Sequence, residues 1–401
     1  MKIAFITTQG LAGSTLAGRV LPLAKELSQK HEVHILAHGK SSQGSHAGVQ
    51  VHFIGTDPFQ KTASGKKRQR GVPLVLTILT NAIVGSMKLT SLKPDAVVIV
   101  KSLPENVLAT QLALLVNKLK RVILDVDDFE LTANVTSSWT QRAAIHWAER
   151  ASAKIADHVV TATPFLSDHF EQLSQGKKPI TMIPTGLSVP AGDATGAPRR
   201  TDRSASENRP VGVQERQDPP ILLYAGSISL SSGHRIDLLP DILAEVRKKH
   251  PEIRLYIYGD GDDVEKVKQM FAEKSLEKAV VWHGRFALQM LLSNLPSNAI
   301  LLDPVDGSIT NRAKSSFRVA LATALGLPIV TSDIGIRPYL IPDSLHERCF
   351  AKPGDGGDYV GKIDQFLEKP LSSSEQILVK EHAKQFSWET LAQEYEKIVA
   401  V

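Results

Sequence analysis

Residues 221–235 read I-L-L-Y-A-G-S-I-S-L-S-S-G-H-R, an apolar run that gives way to a loop of small residues. The run does not alternate between apolar and polar positions, which is typical of a parallel strand buried on both faces. A helical pattern over residues 237–249 follows the loop. Strand, loop and helix in this order form the unit from which doubly wound parallel sheets are built.

The same unit recurs on both sides of this stretch. Candidate strands precede it at residues 2–7, 33–37, 51–54, 95–100, 121–124, 158–162 and 180–183. Others follow it at residues 254–258, 279–282, 299–302, 329–331 and 349–351. Helical patterns, such as residues 15–30 and 316–325, lie between them. The alternation predicts an α/β protein with two Rossmann-like, doubly wound parallel-sheet domains that face a cleft.

A change in composition separates the two halves. Residues 189–220 are rich in Gly, Pro, Ser and charged residues and nearly lack large apolar ones. Such a segment cannot bury enough surface to order itself. We therefore interpret it as a flexible interdomain linker between domains at residues 1–188 and 221–385.

The composition limits the class of protein. The chain has 401 residues, of which 42% are hydrophobic and 22% charged, as in soluble proteins of more than one domain. Cys349 is its one cysteine, so no intrachain disulfide can form, which fits a reducing compartment. The sequence has no run of about 18 apolar residues, so we do not expect a membrane-spanning helix. The net charge of +5 leaves open an anionic partner (nucleic acid, membrane or phosphate-bearing substrate) and a slightly basic soluble enzyme.

Two loops of the first half follow candidate strands. The turn at residues 7–14 contains Gly10 and Gly13, which would let backbone approach a ligand, although an ordinary strand-to-helix turn explains them equally well. Residues 124–130 read L-D-V-D-D-F-E and place Asp127 and Asp128 at the end of a strand. Such acids could serve as a base, a hydroxyl-binding pair or a metal site, or form a solvated loop.

Two stretches of the second half could bind phosphate. The loop after residues 221–225 offers backbone amides, hydroxyls and a cation, although a flexible loop would look the same. Its candidate residues are Gly226, Ser227, Ser232, His234 and Arg235.

Residues 303–318 are more informative. Lys314 and Arg318 are four apart and should project together at the start of a helix, where Ser315 and Ser316 supply caps and free amides. Phe317 and Leu321 belong to the apolar stripe of that helix. Cations at a helix N-terminus predict a diphosphate site, and a solvated basic helix start is the alternative.

A basic cluster, K-K-R-Q-R at residues 66–70, precedes the apolar run at residues 72–84. The pair could dock on an anionic membrane leaflet. A buried helix of the first domain with a charged loop before it is the alternative, and we favour it.

Taken together, these stretches resemble the family 4 (group 1) glycosyltransferases of the GT-B fold. Four motifs carry the resemblance in the second half. The first two are G-D-G with Gly259 and Gly261, and V-W-H-G-R-F at residues 281–286 with Arg285 and Phe286. The third contains Asn311, Lys314, Ser315 and Arg318, followed by Gly326 and Pro328, and the fourth is F-S-W at residues 386–388. In the first half, Gly10 and Gly13 match the family's glycine loop, and Asp127-Asp128 stand in the place of its H-D pair.

The resemblance implies transfer of a sugar from a nucleoside diphosphate sugar to an acceptor hydroxyl, with retention and without metal or other cofactor, in glycan or polysaccharide biosynthesis. Residues 1–188 would bind a glycan or lipid-linked acceptor, residues 221–385 the donor, and residues 386–401 would form a helix crossing back to the first domain. Asp127, Asp128 and Lys314 would be catalytic. No nucleic acid is implied, and the location would be the cytoplasm, with the inner membrane face as an alternative.

The sequence departs from the family pattern at four positions. Ser227 and Ser232 stand where the family has Arg and Lys, and Ala313 and Leu321 stand where it has a pair of Glu. Loss of two cations could remove several kcal/mol of diphosphate binding, at about 1.5–3 per charged hydrogen bond. The departures leave two alternatives to an active glycosyltransferase. One is a catalytically degenerate binding module, and the other is a different GT-B enzyme such as a nucleotide-sugar epimerase.

Overall fold

The computed structural model describes residues 1–11, 13–39, 43–46, 48–57, 59–62, 65–117, 119–133, 138–187, 220–286, 288–296 and 298–400. The predicted linker therefore lies outside the described residues, apart from Pro220. The chain divides into two compact units. The first unit comprises Met1–Gly186, Arg312–Ser315 and Gln385–Val401, and the second comprises Leu187–Asn311 and Ser316–Lys384.

The strands lie close to the predicted apolar runs. They are β1 (Lys2–Ile6), β2 (Glu32–His38), β3 (Gln43–His46), β4 (Val49–Gly55), β5 (Phe59–Thr62), β6 (Gly65–Arg68), β7 (Ala96–Val100), β8 (Arg121–Val126), β9 (His158–Thr161), β10 (Ile180–Met182), β11 (Ile221–Ala225), β12 (Arg254–Tyr258), β13 (Val280–Gly284), β14 (Ala299–Leu302) and β15 (Ile329–Val330).

The helices fill the connections between strands. They are α1 (Leu21–Leu27), α2 (Gly71–Leu92), α3 (Pro104–Val116), α4 (Glu130–Ala133), α5 (Trp139–Ile155), α6 (Pro164–Ser174), α7 (Leu239–Lys249), α8 (Val264–Ala272), α9 (Leu288–Asn294), α10 (Ile309–Ala313), α11 (Phe317–Leu325), α12 (Arg337–Leu340), α13 (His346–Cys349), α14 (Gly356–Glu368), α15 (Ser373–Lys384) and α16 (Trp388–Val399). A π-helical turn, Leu16–Val20, leads into α1.

The first unit is built on an eight-stranded sheet with the order β10-β9-β8-β7-β1-β2-β4-β3. Its pairs are parallel except for β3, which runs antiparallel to β4. One face is covered by α1 and α16, so that Trp388 and Tyr395 complete a core with β1 and β2. The other face is covered by α2, α3, α5 and α6.

The second unit is built on a five-stranded parallel sheet with the order β13-β12-β11-β14-β15. Helices α7 and α14 pack against each other, as do α11 and α15. Both units are therefore Rossmann-like, and together they have the α/β composition of the GT-B fold.

Each sheet has a point at which the strand order reverses. In the first unit β1 lies between β7 and β2, and in the second β11 lies between β12 and β14. The loops after the two strands at such a point diverge and leave a crevice at their carboxyl ends. The candidate loops after β1, β8 and β11, and the segment after β14, are therefore placed where α/β proteins bind ligands.

Two predictions hold only in part. Residues 349–351 do not form a full strand, because Cys349 ends α13, but Phe350 is extended and makes an isolated parallel bridge with Thr331. Residues 72–84 lie in α2, a helix of the first unit that is buried on one side only, whereas we favoured a buried helix. The prediction also missed β3 and the hairpin β5–β6, which lack a continuous apolar run.

Candidate active site

A buried lysine organises the acids after β8. The Nζ atom of Lys101 lies 2.7 Å from a carboxylate oxygen of Asp128, and 3.3 Å from oxygens of both Asp127 and Glu130. Lys101 follows β7 directly and has a φ of +69°, which is uncommon for a residue other than glycine. The end of β7 thus places one ammonium among three carboxylates from the neighbouring strand end.

The two predicted aspartates differ in proton affinity. Burial disfavours the charged forms of both, but Lys101 and Arg19 outweigh it at Asp127 and lower the pKa of that carboxyl. At Asp128 burial, joined by the charge of Asp127, outweighs Lys101 and raises the pKa. Burial also opposes the ammonium of Lys101, yet the surrounding carboxylates raise its pKa well above the ordinary value. Since the Asp128 side chain remains 23% exposed, it is the carboxyl better suited to exchange a proton.

The three predicted catalytic residues lie in the same unit. Lys314 belongs to the first unit, and its charge acts on Asp128, where it favours the ionised carboxylate. Ser315, which we expected at a diphosphate, has its hydroxyl on the backbone of the same unit. It accepts a hydrogen bond from the Thr185 amide at 3.2 Å and donates to the Ala162 carbonyl at 3.5 Å.

Two more residues hold the acids in place. The Thr15 hydroxyl donates to Asp127 at 2.8 Å. Asp125, the acid that precedes the pair, forms an ion pair with buried Arg19 at 2.8 Å and accepts a hydrogen bond from the Tyr395 hydroxyl at 3.2 Å. The turn after β1 and the helix α16 are thereby fixed to the end of β8.

The glycine turn after β1 is closed by a side chain. The amide oxygen of Gln9 accepts hydrogen bonds from the backbone N–H groups of Thr15 at 3.0 Å and Leu16 at 3.1 Å. A Cβ at Gly13 would lie 2.5 Å from that oxygen, and one at Gly10 would lie 3.2 Å from the His38 carbonyl. The amides expected to face a ligand are therefore occupied, which favours the ordinary turn.

Sequence reasoning missed Lys101, Thr15 and Arg19. Lys101 carried a usable signal, because it directly follows a predicted strand and so had to lie at the ligand-binding edge of the sheet. Arg19 lies among apolar helix positions, and its pairing with Asp125 over 106 residues leaves no trace in the local pattern.

In the second unit, Asp303 forms the centre of a buried polar network at the end of β14. One carboxylate oxygen accepts from the Arg318 Nε at 2.6 Å, and the other accepts from the Arg337 Nε at 2.7 Å and the Ser316 hydroxyl at 2.9 Å. Burial opposes ionisation of Asp303, but the two guanidinium groups outweigh it and hold the pKa of the carboxyl far below its usual range. The network fixes the start of α11.

Arg318 does not project beside Lys314, because Lys314 precedes α11 and Arg318 is turned inward, and its role at a diphosphate stays a prediction. Arg318 is buried, and its guanidinium also contacts the His234 Nδ1 at 2.9 Å and lies 4.8 Å from the centre of the Tyr224 ring. The cation is drawn inward because Asp303 needs a counter-charge. A Cβ at Gly226 would lie 2.5 Å from an Arg318 nitrogen, so this glycine admits the guanidinium beneath the loop.

The start of α11 differs from the prediction in two further respects. Ser316 caps the helix as expected, since its hydroxyl accepts from the Val319 amide at 3.3 Å, but that hydroxyl is also bonded to Asp303. Phe317 is exposed although it was assigned to the apolar stripe, whereas Leu321 is fully buried. Ala313 is also buried, so both positions where the family has Glu lie in cores.

The remaining charged and polar residues of the loop are paired. Asn311 donates from its Nδ2 to the Gly233 carbonyl at 2.9 Å and to Asp306 at 2.8 Å. Arg235 binds Asp237 at 2.8 Å and lies 3.7 Å from Asp306. Its charge is therefore partly neutralised, and its role at a phosphate stays a prediction.

The structure shows less about the two serines of this loop that we predicted to bind the donor. Ser227 is exposed, and its carbonyl accepts from the Tyr224 hydroxyl at 2.8 Å. Ser232 closes the short 3₁₀ turn Leu230–Ser232, and its side chain lies outside the described part of the structure.

A pocket of about 230 Å³ opens beside this loop, and five of its six lining residues had been predicted. It is lined by Gly226, Ser227, Gly259, Asp260, Arg285 and Phe286.

The glycines of G-D-G shape the base of this pocket. A Cβ at Gly259 would lie 1.9 Å from the Gly226 carbonyl oxygen, and one at Gly261 would lie 2.2 Å from that of Ile228. Phe286 meets the Tyr258 ring edge-on at 5.9 Å. Backbone and aromatic surfaces of this kind suit a flat base, and the exposed Arg285 suits an anion.

The two α/β units, each with polar residues near its switch point, have the architecture in which α/β proteins bind ligands. Family models make the assignment specific. Residues 219–369 match the model described as glycosyl transferases group 1, and residues 15–186 match the glycosyl transferase 4-like domain. The chain belongs to the group 1 glycosyltransferases (family 4) and has their GT-B fold.

Known proteins agree with this assignment. Over 190 residues the chain is 24% identical to a component of the phosphatidylinositol N-acetylglucosaminyltransferase of Arabidopsis thaliana, and the match covers 47% of this chain and 40% of that relative. Sucrose-phosphate synthase of Thermosynechococcus elongatus has a similar structure, with a TM-score of 0.72, 16% identity and coverage of 100% and 98% of the two chains. Anabaena HepE in complex with UDP and glucose has a TM-score of 0.67, 14% identity and coverage of 100% and 99%. At these identities the solved structures show the fold alone.

Proposed function

We propose that this glycosyltransferase moves a hexose from a nucleoside diphosphate sugar to an acceptor hydroxyl with retention of anomeric configuration, in glycan or polysaccharide biosynthesis. The observation that carries the donor assignment is the pocket between Gly226 and Phe286, where flat aromatic and backbone surfaces lie beside Arg285. The complex of HepE with UDP and glucose supports a donor of this kind.

The first unit supplies the groups that act on the transferred sugar in this proposal. Asp127 stays ionised beside Lys101, Asp128 retains a proton more readily, and Lys314 adds a positive charge. A positive group stabilises a leaving diphosphate, and a carboxyl of raised pKa can exchange a proton with an acceptor hydroxyl. Arg318 is left out of the donor-binding set, because it is buried and bound to Asp303.

The acceptor is proposed to be a glycan or a lipid-linked hydroxyl compound. The curated relative acts, by its name, on phosphatidylinositol, which supports the lipid-linked alternative. A cytoplasmic location completes the proposal, and the buried, unpaired Cys349 supports it because the protein needs no oxidising compartment.

A panel of nucleotide sugars tests the donor assignment. A matching nucleoside diphosphate at 100 times its dissociation constant should stabilise the protein by about 2.7 kcal/mol, seen as a rise in melting temperature. Slow release of free sugar from the same donor, followed by NMR, should show a product with the donor's anomeric configuration. An inverted product would contradict retention.

Two variants separate chemistry from folding. Lys314→Ala should abolish donor hydrolysis and leave the melting temperature close to that of the parent. Arg312→Ala, an exposed neighbour two residues earlier, is the matched control and should keep both properties. Equal activity of Lys314→Ala and the parent would remove Lys314 from the mechanism.

A second candidate function has observations of its own. Ser227 and Ser232 replace family cations, Ala313 and Leu321 replace family carboxylates, and Arg318 is buried against Asp303. These favour a degenerate protein that binds a ligand without turnover. A melting shift with a nucleotide, but no sugar release from any donor, would select this alternative.

A further inference from the structure

Helix α2 has an inverted distribution of side chains. The side that faces the domain is made of small and polar residues together with two leucines: Leu74, Asn81, Ala82, Gly85, Ser86 and Leu89. The outward side carries seven large apolar residues: Val72, Val75, Leu76, Leu79, Ile83, Val84 and Met87. A surface helix of a soluble domain normally has the opposite arrangement. The apolar side of α2 is therefore built to meet something other than water.

Specific contacts fix this orientation. Asn81 donates from its Nδ2 to the Thr56 carbonyl at 3.1 Å and to Glu105 at 3.3 Å. Gly85 lies so close to the sheet that a Cβ would approach Ile54 and Ala109 within 3.2 and 3.3 Å. Among the described residues α2 is also the one helix long and apolar enough to cross a membrane. Its polar anchors hold it against the domain, so it lies along the surface of the first unit.

The apolar surface continues over two neighbouring helices on the same side of the sheet. Helix α3 packs against both α2 and α5. Its outward side carries Leu112, Leu115 and Val116, and α5 carries Trp139 and Trp147. Trp139 is 79% exposed and Leu115 is 83% exposed, so neither contributes to the core. We call the outward sides of α2, α3 and α5 the apolar face.

The exposed charged residues of the apolar face are all positively charged. Glu105 and Glu149 are the two acidic residues in α2, α3 and α5, and both are buried. The exposed charged residues of α5 are Arg142, Arg150 and Lys154. In addition, the sequence K-K-R-Q-R at residues 66–70 runs directly into α2. A patch without exposed carboxylates and with several cations matches a negatively charged partner.

A groove on this face has the chemistry of a lipid headgroup site. It has a volume of about 680 Å³ and lies between α3 and α5. Its lining includes Gln111, His146, Trp147, Arg150 and Lys154. Tryptophan is enriched at membrane–water interfaces, and arginine and lysine bind phosphate oxygens there.

We infer that the apolar face docks the protein on the surface of an anionic phospholipid bilayer. The aliphatic side chains of α2 and α3 enter the boundary between headgroups and acyl chains, the two tryptophans lie at headgroup level, and the cations of α5 bind lipid phosphates. The inference goes beyond the proposed function and does not depend on which sugar is transferred.

Co-sedimentation with vesicles tests this inference on the full chain. The protein should sediment with vesicles of phosphatidylcholine and phosphatidylglycerol, and only weakly with phosphatidylcholine alone. Binding should weaken between about 0.1 and 0.5 M salt, because the electrostatic part is screened. Failure to bind anionic vesicles at low salt would overturn the inference.

Variants of exposed residues localise the contact. Leu76→Ser with Met87→Ser, and separately Arg150→Glu with Lys154→Glu, should each reduce vesicle affinity by about tenfold or more. The matched controls are Ile377→Ser with Leu378→Ser on α15 and Lys248→Glu with Lys397→Glu, which should bind as the parent does. Melting temperatures of all variants confirm that they fold.

Two further outcomes would contradict membrane docking. Equal binding of the parent and the apolar-face variants would place the contact elsewhere. A parent dimer in sedimentation velocity that dissociates in the Leu76/Met87 variant, without vesicle binding, would assign the face to a second copy of the chain.

Discussion

Arg318 and Asp303 form a buried ion pair at the carboxyl end of β14, with 2.6 Å between nitrogen and oxygen. Arg337 still binds Asp303 when Arg318 is removed, so the loss leaves one buried carboxylate oxygen without its charged hydrogen bond, which costs about 1.5–3 kcal/mol. We therefore expect Arg318→Met to lower the free energy of unfolding of the second unit by that amount, measured by urea denaturation.

Arg312→Met provides the comparison for this substitution, because Arg312 is exposed and should change stability by less than about 0.5 kcal/mol. If Arg318→Met were as stable as the parent but failed to bind nucleotide, Arg318 would be a ligand of the diphosphate after all.

The neighbours Asp127 and Asp128 should respond in opposite ways to the loss of charge. The pKa of Asp127 is lowered in the fold, so its ionised form contributes stability above the pKa of the unfolded chain, and that contribution is lost as the pH falls. The pKa of Asp128 is raised, so its ionised form is disfavoured by folding. At pH 7, Asp127→Asn should destabilise the protein, whereas Asp128→Asn should be neutral or stabilising.

Chemical denaturation of the two single variants measures this difference. Each variant is the control for the other, since both lose one carboxylate oxygen beside Lys101. Equal losses of stability in the two variants would contradict the opposite pKa shifts of Asp127 and Asp128.

Gly259 should tolerate no side chain. A Cβ would lie 1.9 Å from the carbonyl oxygen of Gly226, so Gly259→Ala must push the β11 and β12 loops apart. We expect a lower melting temperature and loss of nucleotide binding. Gly361→Ala within α14 has open space and should stabilise the protein by about 0.5–1 kcal/mol.

His52 should make the protein less stable in mild acid. Burial, the charge of Lys88 and the neighbouring His34 lower its pKa from 6.5 to about 4. As the pH falls below 6.5 the unfolded chain binds the proton first, so stability declines until the pH approaches 4 and is unaffected above 6.5.

Replacement by glutamine removes this titration. Between pH 7 and pH 4.5 the His52→Gln variant should lose about 1–2 kcal/mol less of its unfolding free energy than the parent does. The two proteins should show parallel pH dependence between pH 7 and pH 8, and parallel curves at lower pH as well would refute the assignment.

Most strands of the two sheets were predictable because they carry a continuous apolar run, as in the fully buried Ile221–Ala225. The loops that follow them were predictable for the same reason, which is how five lining residues of the pocket were found. The ion pairs were not predictable, because each one connects residues at the ends of different elements. Lys101 pairs with Asp128, and Arg318 pairs with Asp303. Local spacing contains no information about such contacts.

Helix α2 shows a different limit of sequence reasoning. An apolar run has the same composition whether it faces a core or a lipid, so residues 72–84 fitted both interpretations. The small and polar residues between the apolar ones, above all Asn81 and Gly85, were the signal for the inward side. Their meaning depends on contacts with Glu105 and the sheet, which only the folded domain provides.

The placement of α16 bears on how the polypeptide matures during translation. Trp388 and Tyr395 complete the core of the first unit, although the whole second unit is synthesised before them. On the ribosome, the early Rossmann-like unit therefore has part of one side of β1 and β2 uncovered until the late helix emerges. Ribosome-bound chains that stop before residue 388 should consequently recruit chaperones that bind exposed apolar surface.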